Sequence, residues 1–400
     1  MTRTAPWLIG LGLFGYPIWA GTAAIVAPSA GSLGGIAHRG VVALLALTVV
    51  ASVWRGRMRL ARTDFWWVLG LFMAAMSVRM VREFAVGSIF PLQADPVRVV
   101  LLFFGAVVFP VWAFASIPTS DPEAQESRQK ALWVVCAATI VAAMAGLVLA
   151  RGYSAMVQGR ASTENINPIL IGHLGVSCIV LCLFTPIKHP LGWVFRLGMS
   201  GLSVAMIALS GSRGPFLALG ILAAVYGVRF LILRGRLWAP IWPALLVGLA
   251  SIPLILETPL LANTPLAKRI ALSSVINARQ VGRSNLIPAS IEEFWKDPLL
   301  GSGLSEKVTY QYPHNSILEA FMSLGVLGGA LFVFILGYGL FKALKLIFSH
   351  DPWCWVGFIF VQYAIYGLLS SSIYLLDVFW FVLALTVAAT TIQRQQPEPE

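Results

Sequence analysis

Apolar runs long enough to cross a lipid bilayer recur from one end of this 400-residue chain to the other, and they exclude most soluble folds. A helix needs roughly 20 consecutive apolar residues to span the ~30 Å hydrocarbon core, because its backbone polar groups must be satisfied within the segment. Hydropathy places such segments at about 7–26, 37–54, 65–80, 98–116, 131–150, 168–185, 193–210, 215–233, 238–256, 315–341, 353–371 and 373–393. Composition agrees: 58% of residues are hydrophobic and 11% charged, against about 25% charged in soluble proteins. The chain reads as one all-α integral membrane domain over residues 1–400, with about twelve transmembrane helices. The run from Trp7 to Val26 is too long for a signal-peptide core and lacks a cleavage site, so it is expected to be the first span. Cys136, Cys178, Cys182 and Cys354 lie inside apolar runs and read as small core residues. Cys178 and Cys182 have the i, i+4 spacing of a ligand pair, but no His or carboxylate companion stands near them in the chain.

Charge sets the orientation. With the N-terminus in the cytoplasm, the even-numbered loops carry Arg55, Arg57, Arg59, Arg62, Arg128, Lys130, Lys188, Arg229, Arg234, Arg236, Lys342 and Lys345. Short basic cytoplasmic connectors are what the positive-inside rule demands, and the C-terminal tail then also ends in the cytoplasm. The outer side nevertheless holds 13 of the 28 Lys and Arg residues: Arg39, Arg79, Arg82, Arg98, Arg151, Arg160, Arg213, Lys268, Arg269, Arg279, Arg283, Lys296 and Lys307. Any one of these has an ordinary reading, as a snorkelling span-end residue or a translocated loop charge. As a set they form an outward-facing basic rim that suits an anionic ligand such as a phosphate or diphosphate. The span centres are nearly free of ionisable groups. His173, Arg213, Glu319 and Asp377 all fall within a few turns of the outer ends. Ion-coupled transporters instead place such groups near the midplane of repeated halves, and no internal repeat is visible here.

One outer loop dominates, from residue 257 to residue 313 between the ninth and tenth spans. Loops this long among short connections are usually functional. Within it, 282–295 has an amphipathic helical rhythm, with Ile287, Ile291, Phe294 and Trp295 on one face and Glu292, Glu293 and Lys296 elsewhere. That helix is expected to lie on the bilayer surface, with Trp295 at headgroup level. Asp297-Pro298 ends it and Gly301-Ser302-Gly303 is expected to make a flexible turn. At the mouth of the tenth span stands Tyr310-Gln311-Tyr312-Pro313-His314-Asn315, where Asn315 is a natural helix N-cap. His314 is thereby placed at the membrane surface, a little over one helical turn before Glu319.

These residues carry a family pattern. Gly211-Ser212-Arg213-Gly214-Pro215 resembles the Ser-Arg-(Gly/Ala) motif of the O-antigen ligase and O-antigen polymerase superfamily. Gly282-Arg283, Trp295, Asp297-Pro298, Gly301, Gly303, His314-Asn315, Leu318, Gly325 and Gly328 resemble its second signature block, in order and at similar spacing. Asn167-Pro168, following Arg160, resembles a third element, except that Ile169 stands where Asn is common. The resemblance covers about 160–330; the first four spans add only a match in topology.

The resemblance implies a GT-C-like, bacterial inner-membrane glycosyltransferase with a periplasmic active site. It implies an undecaprenyl diphosphate-linked glycan donor and, as the favoured acceptor, a lipid A-core sugar hydroxyl. A polymerase of O-antigen or exopolysaccharide shares the motifs; a transporter or flippase of lipid-linked sugars is the third alternative. Arg213 and Arg283 would hold the diphosphate and stabilise it as it leaves, and His314 would act as general base. Arg279, Arg160 and Glu319 follow as further substrate-binding candidates. The residues agree in part. A compartment without ATP needs an already activated donor, the outer loops offer no Asp-X-Asp or His-X-X-X-His metal pair, guanidinium forks suit diphosphate, and His is the base for neutral pH. Beyond these substrates and the phospholipid bilayer, no metal, cofactor, nucleic acid or obligate protein partner is expected.

Overall fold

The computed structural model describes residues 4–26, 31–55, 63–86, 100, 103–117, 119, 121–150, 167–187, 189–234, 281–307 and 311–392. In chain order its helices are α1 (Ala5–Phe14), α2 (Tyr16–Val26), α3 (Gly31–Trp54), α4 (Phe65–Ala85), a π-turn (Phe104–Val108) leading into α5 (Phe109–Ala115), α6 (Asp121–Ala150), α7 (Pro168–Phe184), α8 (Gly192–Ser210), α9 (Arg213–Arg234), α10 (Val281–Lys296), α11 (Ser316–Ile347), α12 (Cys354–Leu369), a 3₁₀ turn (Ile373–Leu375) and α13 (Asp377–Ile392). There is no strand among the described residues.

Five helices are long and apolar enough to cross a membrane, six if the bent pair α1–α2 is one span, and shorter apolar helices cover Phe104–Ala115, Pro168–Phe184, Cys354–Leu369 and Asp377–Thr391. This is the pattern of a polytopic membrane protein. Within the expected span at 98–116, residues 100 and 103–115 are described and helical, and the expected ninth span, 238–256, lies outside the described residues, as does loop segment 257–280. The first span is broken by 58° between α1 and α2. Pro17, one residue into α2, has no N–H to donate and its ring crowds the preceding turn. His38 supplies a donor there, with Nε2 2.9 Å from the Leu11 carbonyl.

The chain forms two compact units. The first comprises Met1–Leu45, Thr119–Ile276 and Leu344–Gln362. Its helices meet through small residues: a side chain at Gly10 would press on Lys130 and Val134 of α6, and one at Gly175 on the Ser203 backbone of α8. Close backbone approach through small residues is how helices associate where lipid removes the hydrophobic drive. The second unit comprises Ala46–Pro118, Asn277–Ala343 and Tyr363–Glu400. Its core is aromatic: Phe72 of α4 lies 5.6 Å from both Phe332 and Trp380, and Phe114 stacks on Phe381 at 4.6 Å. The buried Trp380 indole donates to the Ile373 carbonyl at 2.9 Å, so its one polar atom is satisfied.

A polar interruption of α11 matters for the site. Gly325 has φ 68° and ψ −166° inside an otherwise helical run. The 297–303 segment fills the break: Ser302 N–H donates to the Met322 carbonyl at 2.9 Å and Val326 N–H to the Pro298 carbonyl at 2.8 Å. Gly301, at φ 78°, faces the Ser323 backbone, and a side chain at Gly325 would overlap the Leu299 carbonyl. The Gly301-Ser302-Gly303 turn expected to be flexible is therefore pinned on both sides by backbone hydrogen bonds.

Candidate functional site

His314 stands just ahead of α11 with φ 56°, the one non-glycine residue at positive φ among those described. Such a backbone costs free energy and persists where its surroundings determine it. Asn315 caps the helix, its Oδ1 accepting from Leu318 N–H at 3.0 Å while its carbonyl receives Glu319 N–H at 2.9 Å. The expected N-cap is thus in place. The imidazole of His314 is held by its surroundings. The Tyr312 ring packs edge-on with centroids 4.4 Å apart, and Nδ1 lies 3.4 Å from the Ser370 carbonyl oxygen. A carbonyl only accepts, so this contact puts the proton on Nδ1 and the lone pair of the neutral ring on Nε2. The spacing is at the long end for a hydrogen bond.

Glu319, on the next turn of α11, is fully buried. Its carboxylate accepts from the Ser372 hydroxyl and from Ile373 N–H, the latter at 2.9 Å. Glu319, expected to contact glycan or diphosphate, is at 0% exposure with both oxygens engaged by a neighbouring turn.

Helix α10 forms over Val281–Lys296, as its periodicity predicts, and Arg283 lies in its first turn. The helix buries Leu286, Ser290 and Glu293, while Ile287, Ile291 and Trp295 stay exposed, with Leu299 and Leu300 beyond its end. Phe294 turns inward against Phe321, with centroids 6.1 Å apart. Glu293 faces inward as well, and pairs with Lys296 at 2.7 Å and Lys307 at 3.4 Å. Its carboxylate holds the Lys296 ammonium above the ordinary lysine range. Two of the cations expected on the outer rim therefore share one acidic partner within the protein. A third, Arg79, is buried on α4 beside Glu83 at 3.5 Å.

In the first unit, Arg213 is the first residue of α9 and is exposed. Helix α8 ends at Ser210, Gly211 takes the left-handed conformation (φ 59°) with its N–H on the Ala208 carbonyl at 3.2 Å, and Ser212 N–H reaches Ser210 Oγ at 3.2 Å. This tight junction is locked from the side, since Gly172 of α7 leaves room only for Pro215 and Ser210. A cation at a helix N-terminus opposes the helix dipole, whereas an anion there is favoured by it.

Of the residues singled out from sequence, His314 and Glu319 come together; Arg283 belongs to the same unit and Arg213 to the other. Arg160 and Arg279 lie outside the described residues. Asn167 is an N-cap whose side chain accepts from Ile169 N–H at 2.9 Å, with Pro168 at the first helical position, so this element does local structural work. The sequence reading passed over Tyr312 as a ring partner and missed the turn that begins at Ser370. The only signal for the turn is a run of three serines, Ser370–Ser372, closing an apolar helix.

The described residues contain one group of three potential metal ligands, the buried thiols of Cys136, Cys178 and Cys182, all within 4.8 Å of one another. Cys136 is the companion that chain proximity did not reveal, 4.0 Å from Cys178. Three thiolates in a helix core would carry uncompensated negative charge even around a soft monovalent cation, so small-residue packing remains the better account of them. A cavity of about 340 Å³, lined by Phe184, Tyr226, Arg229 and His350 among others, lies at the end of α9 remote from Arg213. Its Arg229 donates to the carbonyls of Ile347, the last residue of α11, and of Ser349 just beyond it, a helix-terminating role.

Residues 198–333 match the family described as O-antigen ligase. The match runs from α8 into α11 and includes Arg213, Arg283, His314 and Glu319, so the sequence resemblance is shown over that segment. No curated protein matches the chain.

Proposed function

We propose that this protein, whose residues 198–333 match the family described as O-antigen ligase, transfers a glycan from undecaprenyl diphosphate to a sugar hydroxyl of lipid A-core. The reaction takes place at the periplasmic face of a bacterial inner membrane. The observation that carries the reading is the held imidazole of His314, with Nδ1 toward the Ser370 carbonyl at the mouth of α11. Nε2 takes the proton of the acceptor hydroxyl as its oxygen attacks the anomeric carbon from the face opposite the diphosphate. The bond from that carbon to the diphosphate oxygen breaks, and its electron pair leaves with the diphosphate. One displacement inverts the anomeric centre. Arg213 and Arg283 bind the diphosphate in the ground state and bind it more tightly as charge develops. The excess of outer cations suits a phosphorylated acceptor, which favours lipid A-core over another lipid-linked repeat.

Two experiments test this. The lipopolysaccharide profile of a deletion strain separates the alternatives: loss of all O-antigen on core with accumulated lipid-linked polymer supports the ligase, core plus one unit marks a polymerase, and donor stranded on the cytoplasmic face marks a flippase. With purified protein, His314→Ala is expected to abolish transfer and keep donor binding. Arg213→Ala and Arg283→Ala are expected to lose donor affinity and about 10²–10³ in rate, with Lys restoring part of each. Retained activity in all three alanine variants would place the chemistry elsewhere.

A further inference from the structure

We infer that Glu319 is a positioning residue for His314: its carboxylate fixes the Ser370–Ile373 turn, and that turn sets the tautomer and orientation of the imidazole. The inference rests on the reading of His314 as the base.

A fully buried carboxylate is costly unless its lone pairs are engaged. Both donors that engage Glu319, the Ser372 hydroxyl and Ile373 N–H, come from consecutive residues of the turn between α12 and α13. The same turn presents the Ser370 carbonyl to His314 Nδ1 at 3.4 Å. The rest of the turn is tied down by backbone bonds: Ser370 N–H to the Tyr366 carbonyl at 3.0 Å, and Leu375 N–H to the Ser372 carbonyl at 3.0 Å. Trp380 holds the Ile373 carbonyl. Gly367 of α12 lets this region approach the first turn of α11, since a side chain there would meet Ser316.

These contacts close a ring. The backbone of His314 leads into α11, α11 carries Glu319, Glu319 binds Ser372 and Ile373, and two residues earlier in that turn Ser370 meets the imidazole. The Glu319 carboxyl ties α11 to two consecutive residues of the turn at once, accepting from both. Without those two bonds the turn is held to α11 less firmly. The carbonyl then no longer selects Nδ1–H, and the base loses its defined lone pair on Nε2. A substrate contact by Glu319 would need exposure that the buried side chain does not have.

The test uses full-length protein in lipid, labelled with ¹⁵N-histidine, in which His314→Gln identifies the His314 signals among the five histidines. In the unmodified protein, His314 is expected as the Nδ1–H tautomer. Glu319→Gln, which keeps the volume but replaces one acceptor oxygen by a donor, should produce a tautomer mixture. It should also lower kcat by about 10–10²-fold, with KM for lipid-linked donor nearly unchanged. Ser372→Ala, a milder change away from α11, should shift both readouts the same way by a smaller factor and carries the test if Glu319→Gln does not fold. A Glu319→Gln protein with the original tautomer and kcat would overturn the inference, and so would one whose whole loss is in KM. If His314→Gln itself still transfers glycan, the base assignment fails, while the tautomer readout still decides whether Glu319 orients the ring.

Discussion

Replacing Gly325 by Ala tests the interlock between the 297–303 segment and α11. The perturbation is one methyl group. At φ 68° and ψ −166° the backbone lies in a region that is essentially closed to residues with a Cβ, at a cost of about 1–3 kcal/mol. The new methyl would also overlap the Leu299 carbonyl and the Leu300 nitrogen, backbone atoms that move only if the whole segment moves. Displacing it breaks Ser302 N–H to Met322 and Val326 N–H to Pro298, each worth about 0.5–1.5 kcal/mol. The expected loss is therefore about 2–6 kcal/mol, a large share of the 5–15 kcal/mol typical of a folded domain. Gly337→Ala in the same helix is the control, because nothing lies within 4 Å of a side chain there. It should leave stability unchanged or raise it by about 0.4–1 kcal/mol. Thermal unfolding of both variants in one detergent, followed by size-exclusion retention after heating, gives the comparison. If Gly325→Ala melts with Gly337→Ala, the interlock is not what holds this end of α11.

Topology gives a second expectation. A phosphatase fused after Ser305 should be active and one fused after Lys345 inactive, since these points flank one span; the reverse pattern would refute an outward-facing site. Transfer from purified lipid-linked donor should survive EDTA, given the guanidiniums assigned to the diphosphate and the lack of an Asp-X-Asp or His-X-X-X-His pair in the outer loops. A large loss restored by magnesium or manganese would reveal a metal role for residues not singled out above.

The sequence made some of this visible because the signals are local. A 3.6-residue rhythm locates α10, a polar residue before an apolar run locates the Asn315 cap, and apolar length locates most membrane helices. What it hid depends on distant partners. Glu319 looked like an outer-face acid because helical spacing gives its depth but not its neighbour, and that neighbour is a turn 53 residues on. The break at Gly325 lies in an unbroken apolar stretch, where a glycine alone is no sign of a kink. Cys136 meets Cys178 from 42 residues away. The outer basic rim was overcounted as ligand-binding charge for the same reason: Lys296, Lys307 and Arg79 have acidic partners within their own unit.

The motif residues divide by task, and the division explains why so many of them are not chemical. His314 and Gly325 bound a short stretch, Ser316–Leu324, with positive φ at both ends, 56° and 68°. That stretch contains Glu319 and is clamped at its base by the 297–303 segment through Met322. It is therefore fixed by hydrogen bonds to neighbouring backbone at its start, middle and end, and not merely by continuity with the long apolar helix that follows. A general base must be held to within about 0.5 Å of its productive position, and a membrane helix tilts with the thickness of its bilayer. The break at Gly325 is itself held from both sides, with Met322 before it and Val326 after it bonded to the 297–303 segment. If His314 is the base proposed above, its imidazole keeps a position set by Asn315, Glu319 and the Ser370 carbonyl.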